Sequence, residues 1–121
     1  MKFATIRHKG VQLYGAVTDE GVIELSGDFP QWPSMKEVIE SGGLPILEEA
    51  AFGREISYKH GNFSFDIPIL GGEKIICVGV NFPDRNAEYK DGSQTPSNMS
   101  LFPRFSRGFV GHEQSLSLIH I

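Results

Sequence analysis

Lys74-Ile-Ile-Cys-Val-Gly-Val-Asn-Phe-Pro-Asp-Arg-Asn-Ala-Glu-Tyr-Lys90 is the stretch whose reading decides the fold. Residues 74–80 form a nearly unbroken run of β-formers with no polar alternation, the pattern of a strand covered on both faces. Pro83 fixes its own φ and pushes Phe82 out of the helical region. Asn81 is then placed to cap a short polar helix. In that helix Arg85 and Glu88 stand at i, i+3 and share a face, and Asp84 and Glu88 stand at i, i+4. A carboxylate beside a cation, just past the end of a buried strand, suits an acid–base or substrate-binding pair. The same spacing also suits a surface ion pair worth under about 1 kcal/mol, and the residues alone leave both readings open.

Upstream, Gly71-Gly72 marks a boundary. Before it lies a small α+β unit. Residues 1–7 alternate, with Phe3, Thr5 and Arg7 on one face and Ala4 and Ile6 on the other. His8-Lys9-Gly10 is a turn, and residues 11–17 are a second strand. Asp19-Glu20-Gly21 turns the chain again, and residues 22–25 pair back, giving an antiparallel meander. Ser34-Met-Lys-Glu37 is a capping box in which Ser34 accepts from the N3 amide and Glu37 reaches back. Met35, Val38 and Ile39 then fall at i, i+3, i+4 on one face, and Gly42-Gly43 ends the helix. A second helix is expected over 45–51, with Pro45 in its first turn and Gly53 as its stop. Residues 62–70 read as extended, with Pro68 arguing for an edge or strand end. Downstream of the opening stretch, 91–100 is a polar loop and 101–105 another strand. The fold class expected is therefore α+β: a small antiparallel N-terminal domain with two short helices, then the first strands of a mostly-β domain.

The charge pattern narrows the function. The 121 residues carry a net charge of −4. No Lys/Arg stripe offsets it, which argues against a nucleic-acid binder. The densest basic cluster, Arg7-His8-Lys9, sits in a hairpin turn and reads as solvated. No apolar run is long enough to cross a membrane. The single cysteine, Cys77, lies in an apolar run and reads as a small core residue. With no h-region at the N-terminus and no disulfide pair, a cytoplasmic chain is expected. His8 and His60 have no partner at metal-ligand spacing, and His112 and Glu113 are adjacent instead of i, i+4. Residues 78–81 hold one glycine, not a phosphate-binding G-x-G-x-x-G. Trp32 and the phenylalanines are expected in the core.

Two motifs carry a family resemblance. Residues 74–88 resemble the opening of the catalytic domain of the fumarylacetoacetate hydrolase family, of the form K-I-x-C-V-G-x-N-Y-x-x-H-x-x-E. Ser100-Leu-Phe-Pro-Arg-Phe-Ser-Arg-Gly-Phe-Val-Gly-His112 resembles that family's next segment, a phenylalanine-rich strand with a Lys or Arg near its end. Residues 1–71 resemble the accessory domain that precedes it, and 72–115 the start of the catalytic domain. The resemblance implies an enzyme of β-diketo or 2-oxo acids. Members hydrolyse a C–C bond in fumarylacetoacetate or acylpyruvates; relatives hydrate, decarboxylate or isomerise similar acids. It implies Mg²⁺ (or Mn²⁺ or Ca²⁺) chelating the substrate, a homodimer, and a His–Glu dyad that activates water. Glu88 falls on the dyad glutamate. Arg85 falls on the histidine, and a guanidinium with a pKa above about 12 is no general base near neutral pH. Arg85 is instead suited to a substrate carboxylate, through a bidentate fork. Arg104 falls on the basic substrate-contacting residue, and Asn81 beside it in the substrate-binding set. C–C hydrolysis is the reaction expected first, with a hydratase, decarboxylase or isomerase, or a non-catalytic α+β binding module, as alternatives.

The family's metal ligands, an E-x-E pair and a later Asp, lie downstream of the segment matching 110–114, and this sequence holds no such set. The pairs Asp19/Glu20 and Glu48/Glu49 are adjacent and in the wrong domain. Residues 116–121, Leu-Ser-Leu-Ile-His-Ile, match the translation of a transposase adapter, CTG TCT CTT ATA CAC ATC, and are expected to be a non-native tail. The 121 residues alone are expected to be inactive.

Overall fold

Lys9 and Gly10 both adopt positive φ, 48° and 82°. A two-residue loop of that hand matches the right-handed twist of the strands it joins. It sets β1 (Lys2–His8) against β2 (Val11–Val17) in an antiparallel register running from Lys2↔Val17 to His8↔Val11. The Thr18 amide bonds Gly21 O at 2.8 Å and turns the chain into β3 (Gly21–Glu24). Gly15 faces Glu24 across that pair; a Cβ on Gly15 would stand 2.0 Å from the Ile23 carbonyl oxygen, so a side chain there would part the strands.

The computed structural model describes residues 1–79 and 98–116. They fall into two units: Met1–Gly71 together with the segment that begins at Phe109, and Gly72–Gly108. The α+β class read from the sequence is what the structure shows.

The first unit is a five-stranded antiparallel sheet, order β4-β3-β2-β1-β5, with β4 at Tyr58–Lys59 and β5 at Ser64–Phe65. One face is covered by α1 (Met35–Glu40) and α2 (Leu44–Ala51). Tyr14, Ala16, Ile23, Leu25, Met35, Val38, Leu47 and Ala51 form the core there, with Phe3, Phe29 and Trp32 packed on it. Each fully buried large apolar side chain contributes about 1.5–3 kcal/mol. Tyr14 is buried too, and its hydroxyl donates to Trp32 O at 2.9 Å. Burial first, then the nearby Glu24, Asp28 and Glu37 charges, raises the phenol pKa.

Ser34 caps α1, but one amide earlier than expected. Its Oγ accepts from Lys36 N at 3.2 Å and donates to Glu37 Oε2 at 2.6 Å. At the other end Gly43 N bonds Val38 O at 2.7 Å and Gly42 N bonds Ile39 O at 3.0 Å. These are the two bonds of a Schellman ending, and Gly42, at φ 70°, supplies its left-handed residue.

Several expectations are corrected. Ile39 is 49% exposed and stands outside the core that Met35 and Val38 join. The extended reading of 62–70 contracts to Ser64–Phe65, since pairing with Ile6 and Arg7 uses only those residues. β4 was not anticipated. Phe52 and Phe105 are 86% and 83% exposed and belong to no core.

The second unit pairs β6 (Ile75–Gly79) with β7 (Ser100–Arg104), from Ile75↔Arg104 to Gly79↔Ser100. A short 3₁₀ turn, Ser106–Gly108, follows. The expected covering of both faces of β6 is not seen within this unit. Ile75, Cys77 and Gly79 are half-buried while Ile76 and Val78 are exposed. Cys77 is accordingly half-buried and free, not a core residue.

Candidate functional site

Asn81, Arg85 and Glu88 lie outside the described residues, as do 117–121 of the expected tail. Arg104 is described. It closes β7 opposite Ile75. Four residues separate it from Ser100, the partner of Gly79, or about 13 Å along a strand that rises roughly 3.3 Å per residue. The strand register therefore puts Arg104 at the opposite end of the hairpin from Gly79, the residue that leads into the 80–90 motif.

Around Arg104 the second unit forms an open cleft of about 530 Å³, lined by Phe102, Pro103, Arg104, Phe105, Arg107 and Gly108. The Arg104 guanidinium carbon lies 5.3 Å from the centre of the Phe102 ring, within cation–π range. That contact steadies a long, exposed side chain and leaves its N–H edge available. Arg107 enters the same cleft from the 3₁₀ turn, which the Gly108 N to Phe105 O bond of 2.9 Å closes. Among the described residues no carboxylate lines the cleft and neither guanidinium has an acidic partner. The arrangement is suited to a small anion. Sequence reasoning missed Arg107; its signal was a second arginine three positions after the first, across an exposed phenylalanine.

The histidines take structural roles. The His8 ring stacks on Tyr58 with centroids 4.3 Å apart, and its Nδ1–H donates to Asn62 O at 2.7 Å. His60 donates from Nε2 to Thr18 O at 3.1 Å. The Gly111–Gln114 turn docks on β5: Gln114 Nε2 donates to Phe65 O at 2.7 Å, its Oε1 accepts from Gly111 N at 3.1 Å, and His112 meets the Phe65 ring edge-on at 5.5 Å. A cleft of about 280 Å³ lies beside it, lined by His60, Phe63, Phe65, His112 and Glu113 among others. Among the described residues no group of three His, Cys, Asp or Glu could hold a metal ion, and no helix is long and apolar enough to cross a membrane.

Comparison with known proteins bears on the family. The chain is 29% identical over 101 residues to the mitochondrial oxaloacetate tautomerase Fahd2a of Rattus norvegicus, covering 81% of this chain and 32% of that protein. It is 30% identical over 93 residues to the mitochondrial oxaloacetate tautomerase fahd2 of Xenopus laevis, covering 74% of this chain and 28% of that protein. It is 27% identical over 101 residues to the mitochondrial oxaloacetate tautomerase FAHD2A of Bos taurus, covering 81% and 32%. No family model matches, and no solved structure matches. These relatives are fumarylacetoacetate hydrolase domain-containing proteins, and the likeness supports the resemblance of this chain to the fumarylacetoacetate hydrolase family. The chain is similar to proteins named as oxaloacetate tautomerases, and it spans about a third of their length. The expectation of a cytoplasmic chain is overturned, since each of these relatives is named as mitochondrial.

Proposed function

We propose that the whole protein acts on a 2-oxo acid and that its reaction is keto–enol interconversion of a 2-oxo dicarboxylic acid. The observation that carries this reading is the likeness, over 74–81% of the chain, to three relatives each named as an oxaloacetate tautomerase. Arg85 supports the same direction. A guanidinium at the position of the dyad histidine stays protonated up to a pH above about 12 and takes no proton from water. Isomerisation needs no activated water. A base removes a proton from the carbon beside the carbonyl, the carbonyl oxygen gains one, and no carbon–carbon bond breaks. In this reading Glu88 takes the carbon-bound proton and delivers it to the carbonyl oxygen, Arg85 donates hydrogen bonds to that oxygen as charge develops on it, and Asn81 and Arg104 hold the substrate.

A divalent cation, Mg²⁺ or in its place Mn²⁺ or Ca²⁺, would polarise the carbonyl of a chelated 2-oxo acid. The described residues do not form a site for one, so no step here passes through it. A homodimer is part of the same proposal. A second reading, C–C hydrolysis of an acylpyruvate, is favoured by Glu88 at the dyad position.

The test is a spectrophotometric assay of the purified whole protein with Mg²⁺, following the loss of enol absorbance of a 2-oxo dicarboxylic acid and, separately, the cleavage of an acylpyruvate. Accelerated ketonisation without cleavage is expected, and Glu88→Gln should slow it by about 10²-fold or more. Cleavage without ketonisation would sink the isomerase reading in favour of the hydrolase.

A further inference from the structure

We infer that Arg104 and Arg107 form a two-guanidinium clasp for a dianionic carboxylate, and that Arg107 is the residue that separates dicarboxylic from monocarboxylic acids. Identifying that dicarboxylate with the enzyme's substrate rests on the reading proposed above; the clasp itself rests on the second unit's geometry.

Both arginines line one cleft of about 530 Å³, a volume that admits a small organic acid. They reach it from different elements, Arg104 from the end of β7 and Arg107 from the 3₁₀ turn beyond it. Two forks from separate backbone segments meet two carboxylates better than two from one strand face. The other described residues that line it are Phe102, Pro103, Phe105 and Gly108, which bring no negative charge. Arg7 is paired with Asp66 at 2.6 Å and Arg54 with Asp28 at 2.5 Å. Arg104 and Arg107 lack such partners among the described residues. Arg104 is further oriented by the Phe102 ring, which leaves its planar N–H edge for bidentate contact. A monocarboxylate engages one fork. A dicarboxylate engages both, and the second attachment is intramolecular.

The experiment titrates the ¹⁵N-labelled 121-residue chain, without metal, with malonate and with acetate at matched ionic strength, following the arginine Nε–Hε resonances. Malonate should shift Arg104 and Arg107 together and bind about tenfold tighter than acetate. Arg107→Gln should remove that tenfold preference by weakening malonate far more than acetate, Arg107→Lys should restore part of it, and Arg54→Gln should leave it intact. Equal binding of the two acids, or a malonate preference that survives Arg107→Gln, would overturn the clasp. The enzymatic reading fails separately. If the whole protein ketonises no 2-oxo acid while malonate still binds as described, the clasp stands and the substrate identification falls. If ketonisation occurs but Arg107→Gln leaves the ratio of dicarboxylic to monocarboxylic turnover unchanged, the clasp falls and the enzyme stands.

Discussion

Residues 1–71 and the β6–β7 hairpin are built from similar residue types and end in opposite states. The first unit closes a sheet against two helices and takes Leu25, Val38 and Leu47 out of solvent completely. The hairpin buries no described residue fully and leaves Ile76, Val78 and Leu101 exposed. The difference is one of layers. A sheet needs a second layer to bury its apolar face. α1 and α2 provide it for β1–β3, whereas two strands alone have marginal stability in water. Hydrophobicity of the strand does not decide this: β6 is the more apolar run and the less buried.

The sharpest way to break that contrast is a pair of truncations. Leu47→Ala removes a fully buried side chain from α2 and should cost about 2–5 kcal/mol. Ile76→Ala removes one that is 65% exposed and should cost well under about 1 kcal/mol. Urea unfolding followed by Trp32, which packs on the core, reads the first, and amide exchange across 75–79 reads the second. Equal costs would show that the hairpin hides its apolar face in solution and would remove the distinction between the units.

A second substitution tests where the first unit ends. A Cβ on Gly111 would stand 2.2 Å from the Phe65 carbonyl oxygen, which is backbone and cannot step aside as a side chain can. Gly111→Ala should therefore cost about 1–3 kcal/mol, the range for overpacking. It should also separate His112 from the Phe65 ring, seen as loss of the nuclear Overhauser contact between them. An unchanged contact would mean that the Gly111–Gln114 turn does not depend on this close approach.

What the sequence revealed, and what it hid, follows the same division between local and distant causes. The β1–β2 hairpin, both helices, the Ser34 cap and the Gly42 ending were legible because each is set within a few residues by turn chemistry, capping or spacing. β4 and β5 were not, or not in extent. Each is two residues long and exists only because a neighbouring strand edge is in reach, so no periodicity marks it. The docking of 111–114 on β5 depends on Gln114 reaching a carbonyl 49 residues away. Ile39 followed the helical stripe but lies beyond what the sheet covers. At the candidate site, Arg104 was singled out by its place in a motif, which says nothing of the cleft it lines. Arg107 was not, because its significance comes from a cleft it shares with Arg104 across the 3₁₀ turn.

The α1 cap carries a smaller effect than the Leu47 and Gly111 substitutions, and it turns on a sign. Ser34→Ala should cost about 1 kcal/mol, the usual worth of an N-cap, which places it between a core truncation and a surface change. It should also alter the pH dependence of stability. In the folded chain the Ser34 hydroxyl bond, then bonds from the backbone of Glu37 and Ser34 and the Lys36 charge, hold the Glu37 pKa below its ordinary value. A carboxylate whose pKa is lowered by folding contributes stability above its unfolded pKa, and that contribution is lost as pH falls through the lower, folded value. Wild-type stability should therefore decline on the acid side more steeply than that of Ser34→Ala, which lacks the largest cause of the shift, and the two should run parallel above the carboxylate range. Glu37→Gln should flatten the same slope with the cap hydroxyl intact. If all three proteins lose stability in parallel toward low pH, Glu37 is uncoupled from Ser34 in solution, and the cap acts through the Lys36 amide alone.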